Sequence, residues 1–175
     1  MYPVIRLVAH VARHGRNPLP LDGTHIGHHI CWPWDIDPWM ELNNGRTLTL
    51  YDLGRVAMFH RIGAVAAMRR NGWAPAVAGL SVRFRRRVKV FARFEMRSRI
   101  VGWDDRFFYS EQGMVRGGEF SSHALVRLAI TDGNGAVPTA RVLAELGADP
   151  ESPPLPEWIA AWIAAEAQRP WPPGL

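Results

Sequence analysis

Apolar positions along the chain follow two different periods. Over residues 47–70 they recur at helical spacing, with no proline and only Asp52, Arg55 and Arg61 charged before Met68. This predicts a helix that is apolar around most of its circumference, and such a helix has to be buried on several sides. Asn71 and Gly72, after two arginines, form its stop signal. Beyond Trp73 the period drops to two. Leu80, Val82 and Phe84 alternate with Ser81, Arg83 and Arg85, and residues 93–100, 106–115 and 120–130 read as further strands. Gly102-Trp103-Asp104-Asp105, Gly117-Gly118 and Asp132-Gly133-Asn134-Gly135 are the turns. Short links without helices between them make the sheet largely antiparallel.

Residues 24–34 read as an upstream strand, with Thr24, Ile26, His28, Ile30 and Trp32 on one face and His25, Gly27, His29 and Cys31 on the other. A leader over residues 1–23 precedes it and ends in a Pro/Asp/Gly loop. Its first eleven residues are weakly amphipathic, and Arg6 interrupts their apolar run, so a packed N-terminal helix is predicted rather than a signal peptide, with a membrane-surface helix as the second reading. Downstream come a short helix near residues 140–146, a Pro-rich link over 150–156 and a last amphipathic helix over 157–168. Residues 24–175 therefore read as one α+β domain: a long central helix wrapped by a curved antiparallel sheet. The exposed edges of such a sheet favour dimerisation.

Composition narrows the picture. The 175 residues are 47% hydrophobic and 21% charged, enough for one domain with a real core. No apolar run approaches the roughly 20 residues that span a bilayer. The single cysteine, Cys31, excludes an intramolecular disulfide and fits a reducing, cytoplasmic setting. The net charge is +5, almost all of the positive charge being arginine. That balance suits acidic carrier proteins or phosphorylated small molecules. Nucleic acid is the third option, but no helix-turn-helix, zinc-finger or aromatic-basic strand pattern accompanies the charge.

Candidate chemistry concentrates at residues 34–46, Trp-Asp-Ile-Asp-Pro-Trp-Met-Glu-Leu-Asn-Asn-Gly-Arg. Two carboxylates and two carboxamides sit in a bend just before the long helix. A carboxylate at a helix N-terminus suits acid/base or nucleophilic work, because free N–H groups there stabilise developing negative charge. The same residues also serve as turn formers and helix caps. The histidines show no spacing that makes a metal site.

Asp35-Ile36-Asp37, Leu42-Asn43-Asn44 and Asp52-Leu53-Gly54-Arg55 resemble the motif of hotdog-fold acyl-CoA thioesterases of the 4-hydroxybenzoyl-CoA type. Residues 102–109, Gly-Trp-Asp-Asp-Arg-Phe-Phe-Tyr, are similar to the subgroup of thioesterase superfamily member 6. The resemblance covers about residues 24–168. It implies a homodimer or dimer of dimers with active sites at the interface, no metal and no cofactor. It implies that Asp37 attacks the thioester carbonyl or activates water, and that N–H groups of Gly45, Arg46 and Thr47 polarise the carbonyl oxygen. Asn43 and Asn44 cap the helix or orient water. Asp52 is a second carboxylate of the cleft or an ion-pair partner of Arg55. The acyl tunnel would run beside Tyr51, Met58, Phe59 and Ile62. Arg83 and Arg85, with Arg86, Arg87 and Lys89, form either a CoA-phosphate patch or a solvated sheet face. Glu41 stands where many relatives carry His, and its charge bears on Asp37. A non-catalytic acyl-CoA or carrier-protein binding module is the alternative to hydrolysis, and a dehydratase lacks its His-containing motif here.

Overall fold

The computed structural model describes residues 2–14 and 17–174. Helix α1 (Val4–His14) leads into strand β1 (His25–Ile30) and a single 3₁₀ turn (Pro33–Asp35). Helices α2 (Asn44–Arg61) and α3 (Ala64–Asn71) follow. Strands β2 (Ala74–Phe84), β3 (Arg93–Trp103), β4 (Phe108–Arg116), β5 (Glu119–Asp132) and β6 (Gly135–Val137) come next. Helices α4 (Thr139–Leu146) and α5 (Glu157–Ala167) close the chain. All pairings are antiparallel, in the order β1-β3-β4-β5-β2, with β6 added to β5.

The sheet curls around α2, as the helical and strand periods predict. Alternation on β5 sorts its two faces: Ala124, Val126, Leu128 and Ile130 join the cores around α2 and α3, whereas Leu125 packs under α5 with Tyr109 and Ile159. One long helix over residues 47–70 is corrected to two. Gly63 adopts φ +80, a left-handed conformation that glycine takes without a Cβ penalty, and a second helix starts after it. Strand β6 was not expected, because its three residues are too few for an alternation to register.

The Gly-Trp-Asp-Asp segment is a structural clamp. Asp104 Oδ1 accepts the Arg106 and Phe107 N–H groups, and Oδ2 accepts the Tyr109 hydroxyl. The Asp104 carbonyl takes the Thr139 hydroxyl, and Trp103 donates to Ser152 Oγ and the Pro150 carbonyl. One turn thereby fastens α4 and the Pro-rich link to the sheet.

Helix α1 docks through polar groups. Arg6 donates to Asp35 Oδ2 at 2.8 Å and to the Ile30 carbonyl. His10 packs so closely on β1 that a Cβ at Gly27 would lie 2.2 Å from its ring. Arg61 sits 3.1 Å from His25 Nδ1 and can only donate, so His25 carries its proton on Nε2 and passes it toward His10 Nε2 at 3.1 Å. Burial, reinforced by neighbouring cationic and imidazole groups, pushes His10 down to about 4, His25 to about 3 and His29 to about 2.

Candidate active site

The bend before α2 is a small hairpin. Ile36 bridges Leu42, Asp37 N–H donates to the Glu41 carbonyl at 2.8 Å, and Met40 N–H donates to the Asp37 carbonyl at 3.0 Å. Met40 holds φ +61, a strained setting for a residue with a Cβ that costs about 1 kcal/mol. The strain closes a tip whose N–H groups turn inward onto Asp37. Asp37 Oδ1 accepts from Trp39 N at 2.9 Å and from Glu41 N at 3.4 Å. Its other oxygen, Oδ2, has no partner among the described residues. Asp35, the first carboxylate of the motif, is buried and plays a different part. It binds Arg6, lies 3.6 Å from Arg46 Nε, and its carbonyl accepts Asn43 N–H.

The hairpin runs straight into α2. Asn43 is the cap: its Oδ1 accepts Arg46 N–H at 3.1 Å and its carbonyl accepts Thr47 N–H at 2.8 Å. Such a cap is worth about 1 kcal/mol. Two of the three backbone donors expected to polarise a carbonyl, those of Arg46 and Thr47, are therefore already occupied. The N–H groups of Asn44 and Gly45 have no partner among the described residues, as at the start of a helix.

The other expected site residues separate. Asp52 pairs with Arg55 at 2.6 Å and accepts the Tyr2 hydroxyl at 2.5 Å. Tyr51 is fully buried in the core, with its hydroxyl 2.8 Å from Ser122 Oγ and its pKa raised to about 12 by burial. Met58 is equally buried, while Phe59 and Ile62 line an apolar cavity of about 30 Å³. Arg83 lies on the opposite face of the sheet, in a cavity shared with Glu111, His123 and Trp158. Arg85 is exposed beyond the end of β2. Within the basic run, Arg86 pairs with Glu119 and Arg87 with Glu41, at 2.7 and 3.0 Å. The negative charge of Glu41 thus meets its own counter-ion beside the Asp37 tip.

Periodicity could not reveal the polar network under α2. Buried Gln112 accepts from Arg55 at 2.7 Å and donates to the Tyr51 carbonyl and Ser98 Oγ. Burial works to lower the Arg55 pKa, and Asp52 opposes that shift. Among the described residues no group of three has the geometry to hold a metal.

A central helix cradled by a curled antiparallel sheet, with an acidic hairpin at its N-terminus, defines the hotdog class of α+β protein. The model of the thioesterase-like superfamily matches residues 31–163, and the chain belongs to that family. Protein THEM6 of Xenopus laevis is 36% identical over 135 residues, 77% of this chain and 64% of that protein. The chain thus spans less than two thirds of that relative's length. YbaW of Escherichia coli superposes with a TM-score of 0.65 at 15% identity, covering 70% of this chain and 96% of that one. The DHNA-CoA thioesterase of Staphylococcus aureus gives 0.63 at 14%, covering 82% and 91%. These likenesses establish the fold.

Proposed function

We propose that the protein hydrolyses an acyl thioester, an acyl-CoA or acyl-carrier-protein ester, to free acid and thiol. The state of the Asp37 carboxylate carries this reading. Backbone N–H groups hold Oδ1 in place, and Oδ2 has no partner among the described residues, in the hairpin that leads into α2. Oδ2 attacks the thioester carbonyl carbon, the C–S bond breaks to release thiolate, and water hydrolyses the resulting anhydride. Alternatively, Oδ2 takes a proton from the water that attacks. The open N–H groups of Asn44 and Gly45 stabilise the oxyanion in either route. A carboxylate and water suffice, so no metal or cofactor takes part.

A homodimer completes this site. Strand β2 is an edge, with Val77, Leu80 and Phe84 exposed, and an unpaired edge is a template for a second copy. Leu42 N–H donates to the Val88 carbonyl, tying the Asp37 hairpin to the segment that follows β2. A partner paired along β2 therefore lies beside the hairpin and walls a cleft there. That placement accounts for the smallness of the apolar cavity within one protomer. The setting is the cytoplasm, where buried Cys31 stays reduced.

The test is release of thiol from short, long and aromatic acyl-CoA esters by the native protein and by Asp37→Asn. Loss of at least a hundredfold in kcat/KM is expected. Unchanged turnover in the variant removes Asp37 from the mechanism, and absence of release from every ester and carrier-protein thioester leaves a binding module.

A further inference from the structure

Helix α1 is docked inside out. Val4, Ile5, Val8, Ala9 and Ala12 share one arc of the helix and all face solvent, with Val4 58%, Ile5 88% and Val8 61% exposed. The opposite arc carries Arg6, His10 and His14, and it is this arc that contacts the domain, with Leu7 as an apolar contact at its side. A surface helix of a globular protein does the reverse, burying its apolar stripe. The polar seam fixes the helix firmly enough to hold the apolar stripe outward.

A groove of about 730 Å³ runs beside that stripe, between α1 and the ends of β1, β3 and β4. Arg13, Arg93 and Arg116 line it and have no acidic partner among the described residues. The one acidic residue of the lining, Glu95, is paired with Arg97 at 2.9 Å. His29, only 6% exposed, also borders the groove, and its buried Nε2 has no hydrogen-bond partner among the described residues. Trp32 sits at the rim. The 64% exposed Trp34 stacks on it, and the 61% exposed Phe91 meets it edge-on.

We propose that the outward face of α1 and this groove are a docking surface for an anionic lipid bilayer. The apolar stripe enters the headgroup–acyl boundary, the aromatic rim lies at headgroup depth, and the unpaired arginines take lipid phosphates. Charge decides between this occupant and a second copy. A twofold contact through this face would set the arginine groove of one protomer against the same groove of its partner. The surface also lies at β1, the opposite end of the sheet from β2, so it stays open whether or not β2 pairs.

Flotation of the full chain with phosphatidylcholine vesicles, and with equimolar phosphatidylcholine and phosphatidylglycerol, tests the assignment without any activity assay. Binding to the mixed vesicles alone, weakened by salt, is expected. Arg13→Gln and Arg93→Gln each reduce it about fivefold. Ile5→Ser with Val8→Ser reduces it at least about tenfold, with an unchanged thermal melt because both side chains are already in water. Failure to float with the mixed vesicles, or equal binding by the serine double variant, overturns the proposal. Lipid-free self-association abolished by that variant reassigns the face to a second copy.

Discussion

Acid should weaken this fold through the histidine seam, and the size of the effect follows from the structure. His10, His25 and His29 are all buried, and all titrate far below 6.5 in the folded chain. Between those values and 6.5 the unfolded chain binds more protons, so stability is full above about pH 6.5 and drains as pH falls toward about 4. At about pH 5 all three are neutral when folded, and the cost depends only on the unfolded value. It comes to about 2 kcal/mol for each histidine, or about 6 kcal/mol together, against a typical total of about 5–15 kcal/mol. Urea unfolding at about pH 7.5 and about pH 5 measures the difference. His29→Leu should shrink it by about 2 kcal/mol, since the ring stacks on Phe94 and its Nε2 has no partner to lose. A difference under about 2 kcal/mol, or one unaffected by His29→Leu, refutes the claim that these rings are held neutral.

The network under α2 should be equally consequential. Gln112→Ala strips buried Arg55 of an acceptor and the Tyr51 carbonyl of a donor, and should cost about 3 kcal/mol by chemical denaturation. Asp104→Ala releases three donors at the β3–β4 turn and should cost about 2 kcal/mol. Thioester turnover per folded molecule should survive Asp104→Ala, because that carboxylate faces its own turn; loss of activity without loss of stability would give the segment a part in the chemistry.

Much of the architecture was legible because each element announces itself locally. The alternation in residues 24–34 separated the two faces of β1 but not which of them is inward; in the fold His25, Gly27, His29 and Cys31 are the buried set. That one of Asn43 and Asn44 caps the helix could be read from their place between the bend and the apolar run, and the fold gives the role to Asn43. The Asp37 motif was visible as chemistry, but the engagement of one oxygen and not the other depends on a tip closed by strained Met40, which no spacing encodes. Where Tyr51 and Arg83 point was not legible, for one common reason. Each has a residue type suited to a ligand, yet the register turns Tyr51 into the core and Arg83 to the far face of the sheet.

Periodicity states which side chains share a face; it is a property of the backbone repeat and needs no partner. The antiparallel sheet, the buried helix and the capped acidic bend were all decided at that level. What each face meets is set by packing between segments distant in the chain. Arg55 finds Gln112 across 57 positions, and α1 turns its charged arc inward because Asp35, Ile30 and the histidines of β1 offer partners there. Buried polar groups must be paired, so those distant partners, and not the hydrophobic stripe, determined which way the first helix faces.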